Sequence, residues 1–188
     1  GQISVTRSLV YVLILCLLAF LVLIQFNLTT IIFGMGSMIF AFSYPFMKRI
    51  TYWPQLFLGI IFNWGLILSF LVFNEKIILE IIIIYVSAIL WTLGYDTIYG
   101  LQDIEDDLKI GIKSTAIKFK KNIKHFLTIV YLSSITLLIL SNILILNKIK
   151  IEIILYLIPL SLLIFQIQRV KVKNNTQNLT LFKLNNYY

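Results

Sequence analysis

Apolar runs long enough to cross a bilayer follow one another along nearly the whole chain, and no other feature constrains the fold as much. Crossing the hydrocarbon core takes roughly 20 mostly apolar residues in helical form. Six such runs are legible, at residues 8–26, 28–47, 52–73, 77–95, 125–146 and 151–168. Lipid offers no water to the backbone, so each run must satisfy its own N–H and C=O groups as a helix. No ten-residue alternation of apolar and polar residues points to a β-barrel. Composition agrees, since 60% of the 188 residues are hydrophobic and 13% charged. Soluble domains carry about 45–50% and about 25%. The fold class expected is all-α, a polytopic transmembrane helix bundle of about six spans, forming a single domain over 1–188.

The basic residues sort by side. Six spans place Arg7, Lys48, Arg49, the lysines of residues 96–124, Arg169, Lys171, Lys173 and Lys183 on one side. Only Lys76, Lys148 and Lys150 fall on the other. Thirteen of the sixteen cations on one side make that side cytoplasmic by the positive-inside rule. The net charge of +8 is then accounted for by loops near anionic headgroups, without a nucleic-acid partner. Cys16 lies within an apolar run and is expected to be a small core residue, with no disulfide framework.

Against this background the stretch YDTIYGLQDIEDDLKIGIKST, residues 95–115, holds five of the eight acidic residues. Asp103 and Asp107 are four apart and Asp106 is three from Asp103. On a helix these spacings share a face, with Cβ atoms roughly 5–6 Å apart. Asp96, seven before Asp103, falls near the same face. Gathering like charges is unfavourable unless a cation sits among them. Mg²⁺ takes oxygen ligands and is typically held by one or two carboxylates plus substrate phosphates. Lys109 and Lys113 follow, with Gly111 allowing a tight turn between them, and lysine binds phosphate as a point charge. Lys48 and Arg49 close an earlier span on the same side. Carboxylates and cations meeting at one interface suit a diphosphate. A solvated charged loop is the plainer reading of such a run, and spacing alone leaves both open. An EF-hand fits poorly: Asp103, Glu105 and Asp107 match its first ligand positions, but Leu108 stands where its glycine belongs and Ser114 where its bidentate Glu belongs. The single His125 and distant Cys16 speak against a zinc site. No nucleophile elbow, P-loop or dinucleotide fingerprint is present.

Two stretches carry a resemblance. YDTIYGLQDIEDDLKIGIKSTAIKF resembles the second aspartate-rich motif of the UbiA family of intramembrane prenyltransferases. SYPFMKRITYWPQLFLGIIFNWG resembles the segment ahead of it in the branch that prenylates 4-hydroxybenzoate, and the order and separation of the two also match. The resemblance implies a bundle of about nine transmembrane helices around a cavity. It implies two aspartate-rich motifs that bind Mg²⁺ and the diphosphate of a polyprenyl donor. It also implies transfer of the prenyl chain to 4-hydroxybenzoate in ubiquinone synthesis, in a bacterial or mitochondrial inner membrane. By position, Asp103 and Asp107 match the outer aspartates of the second motif, with Asp106 inside it. Arg49 and Lys113 match positions expected to meet the diphosphate, and Asp96 and Tyr99 match polar positions lining the cavity. Intramembrane Trp64 and Trp91 are packing residues or cation–π partners of an allylic cation. The first motif, of the form NDxxDxxxD, is absent, and GQISVTR resembles the segment just after it. The expectation is an internal fragment, short of helices at both ends. Another acceptor (haem, a naphthoate or homogentisate), a transporter and an inactive remnant are the alternatives.

Overall fold

The computed structural model describes residues 3–74, 76–146, 151–172 and 174–187. Lys148, Lys150 and Lys173, which enter the side assignment above, lie outside the described residues. Among the described residues there are helices and turns and no strand. Five segments are long and apolar enough to cross a membrane. They are α1 (Val5–Leu23), α2 (Leu28–Ile50), the pair α3 (Pro54–Phe62) and α4 (Trp64–Phe73), α5 (Leu79–Gly100) and α8 (Ile123–Leu146). Two short helices, α6 (Ile104–Ile110) and α7 (Thr115–Phe119), lie between α5 and α8. After α8 come a 3-10 segment (Ile151–Tyr156), α9 (Leu157–Arg169), α10 (Asn175–Lys183) and a final 3-10 turn.

The sixth expected span departs from a plain helix. Its first third is the 3-10 segment and only the 13 residues of α9 are α-helical. Pro159, in the first turn of α9, has no N–H to donate back, so α-helical bonding starts there without being carried in from upstream. Two other boundaries move. Residues 52–73 are not one helix, because the chain breaks at Asn63. That buried side chain donates from Nδ2 to the Gly59 carbonyl and to Thr92 Oγ1, both at 2.8 Å. And α5 runs five residues past the expected end at 95, because Thr97, Ile98 and Gly100 are buried against its neighbours.

In lipid, helices associate through close packing and interhelical hydrogen bonds rather than a hydrophobic drive. The pair α5 and α8 shows both. Ser87 Oγ donates to the Ser134 carbonyl at 2.7 Å, and Ser134 Oγ returns a bond to the Ser87 carbonyl at 2.8 Å. Tyr131 lies over Gly94, where any side chain would collide with its ring. On the other flank Gly59 lets α3 approach the Ile89 backbone of α5. By contrast α1 has no buried residue. Cys16 is therefore exposed, not a core residue. It sits on a helix that packs lightly on α2 and turns the rest of its surface outward.

The turn before α2 is anchored by Asn27, which caps α2 through Thr30 N at 2.9 Å and donates to the Leu71 carbonyl of α4. At the opposite end of the bundle, Lys124 at the start of α8 donates to the Gln168 carbonyl near the end of α9 at 3.0 Å. The C-terminal ends of α2, α5 and α9 and the start of α8 thus share one end, where α6 and α7 lie, while α10 starts near Gln102 and runs back along α5.

Candidate diphosphate pocket at one end of the bundle

The stretch between α5 and α8 is folded rather than loose. Asp103 precedes α6 as its N-cap residue without using its side chain to cap. Its carboxylate is thereby left to face elsewhere. Gly111 ends α6 in the left-handed region at φ 73°, which glycine adopts without strain. This reversal sends the chain back toward α2. The Lys113 N–H donates to the Lys48 carbonyl at 2.8 Å, and Lys113 Nζ donates to the Ile50 carbonyl at 3.2 Å. A cation at the unsatisfied carbonyl end of a helix is favourably placed. Ser114 then caps α7 through Ile117 N. The buried Gln55 of α3 accepts from Thr115 N at 3.0 Å, and Thr97 and Thr115 join hydroxyls at 2.6 Å.

These bonds enclose a polar pocket of about 140 Å³. Asp96, Asp103 and Asp107 line it with Lys48, Lys113 and Tyr99. Among the described residues none of its three carboxylates forms a salt bridge. The nearby charges still act on them. Burial, followed by the negative charge of Asp103, raises the Asp107 carboxyl above its ordinary value, and the Lys48 ammonium opposes this. Asp96 feels both Lys48 and Asp103. Tyr44, Gln55 and Ser114 also line the pocket, and none of them is among the site residues expected from the sequence. Tyr44 lies one helical turn before Lys48, a spacing that offered the signal.

Three residues from the sequence reading lie elsewhere. Asp106 and Lys109 pair with each other at 2.9 Å, both strongly exposed. That contact holds the Lys109 ammonium above its ordinary range. Asp106 faces a different, outer groove with Glu105 and Lys120. Arg49 is exposed and does not line the pocket, whereas its neighbour Lys48 does.

Asp96 also belongs to a second cavity, of about 420 Å³, that extends away from the polar pocket along α5. Its walls include Trp91, Tyr95, Leu58 and Phe182. The rings form a series: Trp91–Tyr95 at 5.2 Å, Tyr95–Phe182 at 5.8 Å and Tyr99–Phe182 at 4.8 Å between centroids. Trp64 is not part of it. Its Nε1–H donates to the Phe33 carbonyl at 3.1 Å, and its ring packs on Phe40 and Tyr85.

Whether a divalent cation fits can be read from the donors. Among the described residues no three His, Cys, Asp or Glu side chains form a ready-made metal cage. The pocket instead offers separate carboxylates beside ammonium groups, a donor set that suits a cation shared with an anionic ligand.

Fold and site together define an integral-membrane helical protein with a mixed-charge pocket at one end and an aromatic slot beside it, Asp96 lining both. The chain belongs to the UbiA prenyltransferase family, whose model matches residues 1–187. It is 44% identical over 119 residues to a 4-hydroxybenzoate octaprenyltransferase of Pseudomonas fluorescens, covering 63% of this chain and 40% of that protein. It is 46% identical over 122 residues to a mitochondrial 4-hydroxybenzoate polyprenyltransferase of Arabidopsis thaliana, covering 64% and 30%. A 4-hydroxybenzoate octaprenyltransferase of Pseudoalteromonas translucida matches over the whole of this chain at 35% identity, covering 64% of that protein. The chain spans about a third to two thirds of the length of these curated relatives. No solved structure matches it.

Proposed function

We propose that this chain provides the donor-binding end of an enzyme that moves a polyprenyl group from polyprenyl diphosphate to 4-hydroxybenzoate, with Mg²⁺ as cofactor, in ubiquinone synthesis. One observation carries the proposal. Three aspartates and two lysines from α2, α5, α6 with its cap residue, and the turn after α6 line one pocket, and Asp96 also lines the neighbouring aromatic slot. The printed names of the relatives supply the acceptor.

The residues divide the work. Lys48 and Lys113 hold the diphosphate oxygens, and Tyr99 borders them. Asp103 and Asp107 hold the divalent cation, with Asp96 completing the acidic wall. A bound Mg²⁺ would neutralise charge developing on the leaving diphosphate. Preorganised cations do the same without reorganising as the allylic C–O bond breaks. Trp91, Tyr95 and Phe182 keep water from the allylic carbon and present ring faces to its positive charge. The acceptor ring carbon beside the hydroxyl then forms the new C–C bond and loses its proton. By the positive-inside rule the pocket faces the cytoplasm, or the matrix in a mitochondrion.

The test uses the chain in liposomes with Mg²⁺, geranyl diphosphate and 4-hydroxybenzoate, with mass spectrometry of the products. Magnesium-dependent prenylated hydroxybenzoate is expected. Diphosphate binding with transfer only to another phenol would replace the acceptor, and a chain that binds no prenyl diphosphate would overturn the proposal.

A further inference from the structure

The charged pocket includes one neutral amide whose two ends are not equivalent. Gln55, in the first turn of α3, is 6% exposed and lines the pocket with Lys48, Asp96, Asp103 and Lys113. Its Oε1 accepts from Thr115 N at 3.0 Å. A backbone N–H can only donate, so the oxygen is the end that must face Thr115. Thr115 opens α7, and its N–H is one of the donors that a helix start leaves without an intrahelical partner. Reversing the amide would set donor against donor there and leave the start of α7 unsatisfied. The Nε2 end of Gln55 is therefore left for another partner.

Among the described residues Nε2 donates to no protein acceptor, and no side-chain nitrogen or oxygen there is both sealed from water and unpaired. Nε2 thus keeps an open approach within a side chain that is otherwise buried. It lies beside Gly100, where a Cβ would stand 3.3 Å from it, and Gly100 borders the same pocket. Three carboxylates share that pocket without taking the bond. The bond accepted at Oε1 also polarises the amide, which strengthens Nε2–H as a donor. An amide N–H cannot ligate a cation. What it fits is an electron-rich oxygen on a bound anion, and leaving such a nearly buried donor unmatched is costly.

We propose that Gln55 is a further substrate-binding residue, whose Nε2–H donates to a phosphoryl oxygen of the prenyl diphosphate. Lys48 and Lys113 supply charge to the anion, and Gln55 supplies a directed neutral bond from the α3 wall. Because its oxygen is held by Thr115, Gln55 takes no part in holding the divalent cation. One side chain then links the bound anion to the first amide of α7. The inference rests on the reading of that pocket as a diphosphate site.

The test is solid-state NMR of the wild-type chain in liposomes with Mg²⁺ and geranyl diphosphate, the glutamines labelled at nitrogen. It reads which side-chain amide is dephased by the phosphorus nuclei of the bound ligand. Pro54–Gln55 is the only Pro–Gln pair in the sequence, so carbonyl-labelled proline assigns the Gln55 signals without any variant. A dephased Gln55 amide is expected. In binding measurements Gln55→Met should lower geranyl diphosphate affinity by about tenfold or more, the size of a hydrogen bond to a charged group. Gln55→Glu keeps an acceptor for Thr115 but replaces the donor with a negative charge, so it should lose more than Gln55→Met. A purely structural role for Gln55 would give the reverse order. Bound ligand with an undephased Gln55 amide overturns the inference while the diphosphate reading stands. So does dephasing of that amide only by the labelled carboxylate carbon of 4-hydroxybenzoate. A chain that binds neither geranyl diphosphate nor inorganic diphosphate overturns both.

Discussion

The backbone N–H of Lys113 donates to the carbonyl of Lys48 at 2.8 Å. This bond ties the turn after α6 to the end of α2, bringing together two elements far apart in the chain. It brings Lys48 and Lys113 to the pocket that Asp103 and Asp107 also line. A short acidic stretch thereby becomes a site with both signs of charge.

That turn depends on Gly111. Its φ of 73° lies where other residues are strained, while the space around its absent Cβ is open. Gly111→Ala therefore meets only the conformational cost, about 1–2 kcal/mol. Mg²⁺-dependent diphosphate affinity should fall by roughly the corresponding five- to thirtyfold. Gly111→Asn, which tolerates the left-handed region better, should recover part of it. Calorimetric titration with inorganic diphosphate measures both, and equal affinities in all three proteins would contradict this.

Lys48 rather than Arg49 should carry donor affinity. Lys48 lines the pocket and Arg49 does not. Lys48→Ala should weaken prenyl diphosphate binding by about tenfold or more, the size of a lost charge-assisted contact, with Arg49→Ala within about threefold of wild type. Competition against a radiolabelled donor ranks them, and the reverse order would restore Arg49 to the role its sequence position suggests.

The raised Asp107 carboxyl gives a pH prediction. A carboxyl whose folded-state pKa lies above its ordinary 3.8 binds its proton more tightly when folded. Its contribution to metal-free stability is fully present below 3.8 and is lost as pH rises through the raised value. Asp107→Asn should therefore stabilise the metal-free protein at neutral pH and remove the extra stabilisation by Mg²⁺ with diphosphate. Thermal unfolding in detergent, with and without those ligands, reads both. A neutral-pH melting temperature lowered by Asp107→Asn would contradict it.

The α5–α8 contact should tolerate nothing larger than glycine at position 94. A Cβ there would run into the Tyr131 ring, and Tyr131 is fixed by its bond to Gln166. Gly94→Ala should destabilise the bundle by about 1–3 kcal/mol, the usual cost of overpacking. A smaller ring partner, Tyr131→Leu, should ease the clash. Lifetime at elevated temperature in detergent checks this, and an unaltered lifetime for Gly94→Ala would contradict the packing.

The spans were legible because an apolar run of bilayer length has few alternatives to a helix. The exceptions have local causes. Pro159 interrupts the hydrogen bonding that hydropathy cannot see, and Asp96 looks like the end of a span although buried Thr97, Ile98 and Gly100 carry the helix past it. In the acidic stretch, the face assigned to Asp106 assumed a helix already in progress at Asp103. Asp103 is instead the cap residue. The helix starts after it, and Asp106 turns outward to Lys109. Lys109 is separated from Lys113 by the reversal at Gly111, which leaves Lys109 paired with Asp106 and sends Lys113 back to the end of α2. The apolar slot had no sequence signal beyond Trp91 itself, because it depends on which rings from α5 and α10 meet.

The central claim is that Asp103 and Asp107, with Lys48 and Lys113, form a cation-dependent site for a prenyl diphosphate. The most direct test is the equilibrium affinity of the reconstituted chain for farnesyl diphosphate with and without Mg²⁺, in wild type, Asp103→Asn, Asp107→Asn and Asp106→Asn. The account predicts magnesium-dependent binding that is lost by at least about tenfold in the first two variants and retained in Asp106→Asn. Binding indifferent to Mg²⁺, or equally sensitive to Asp106→Asn, would contradict it.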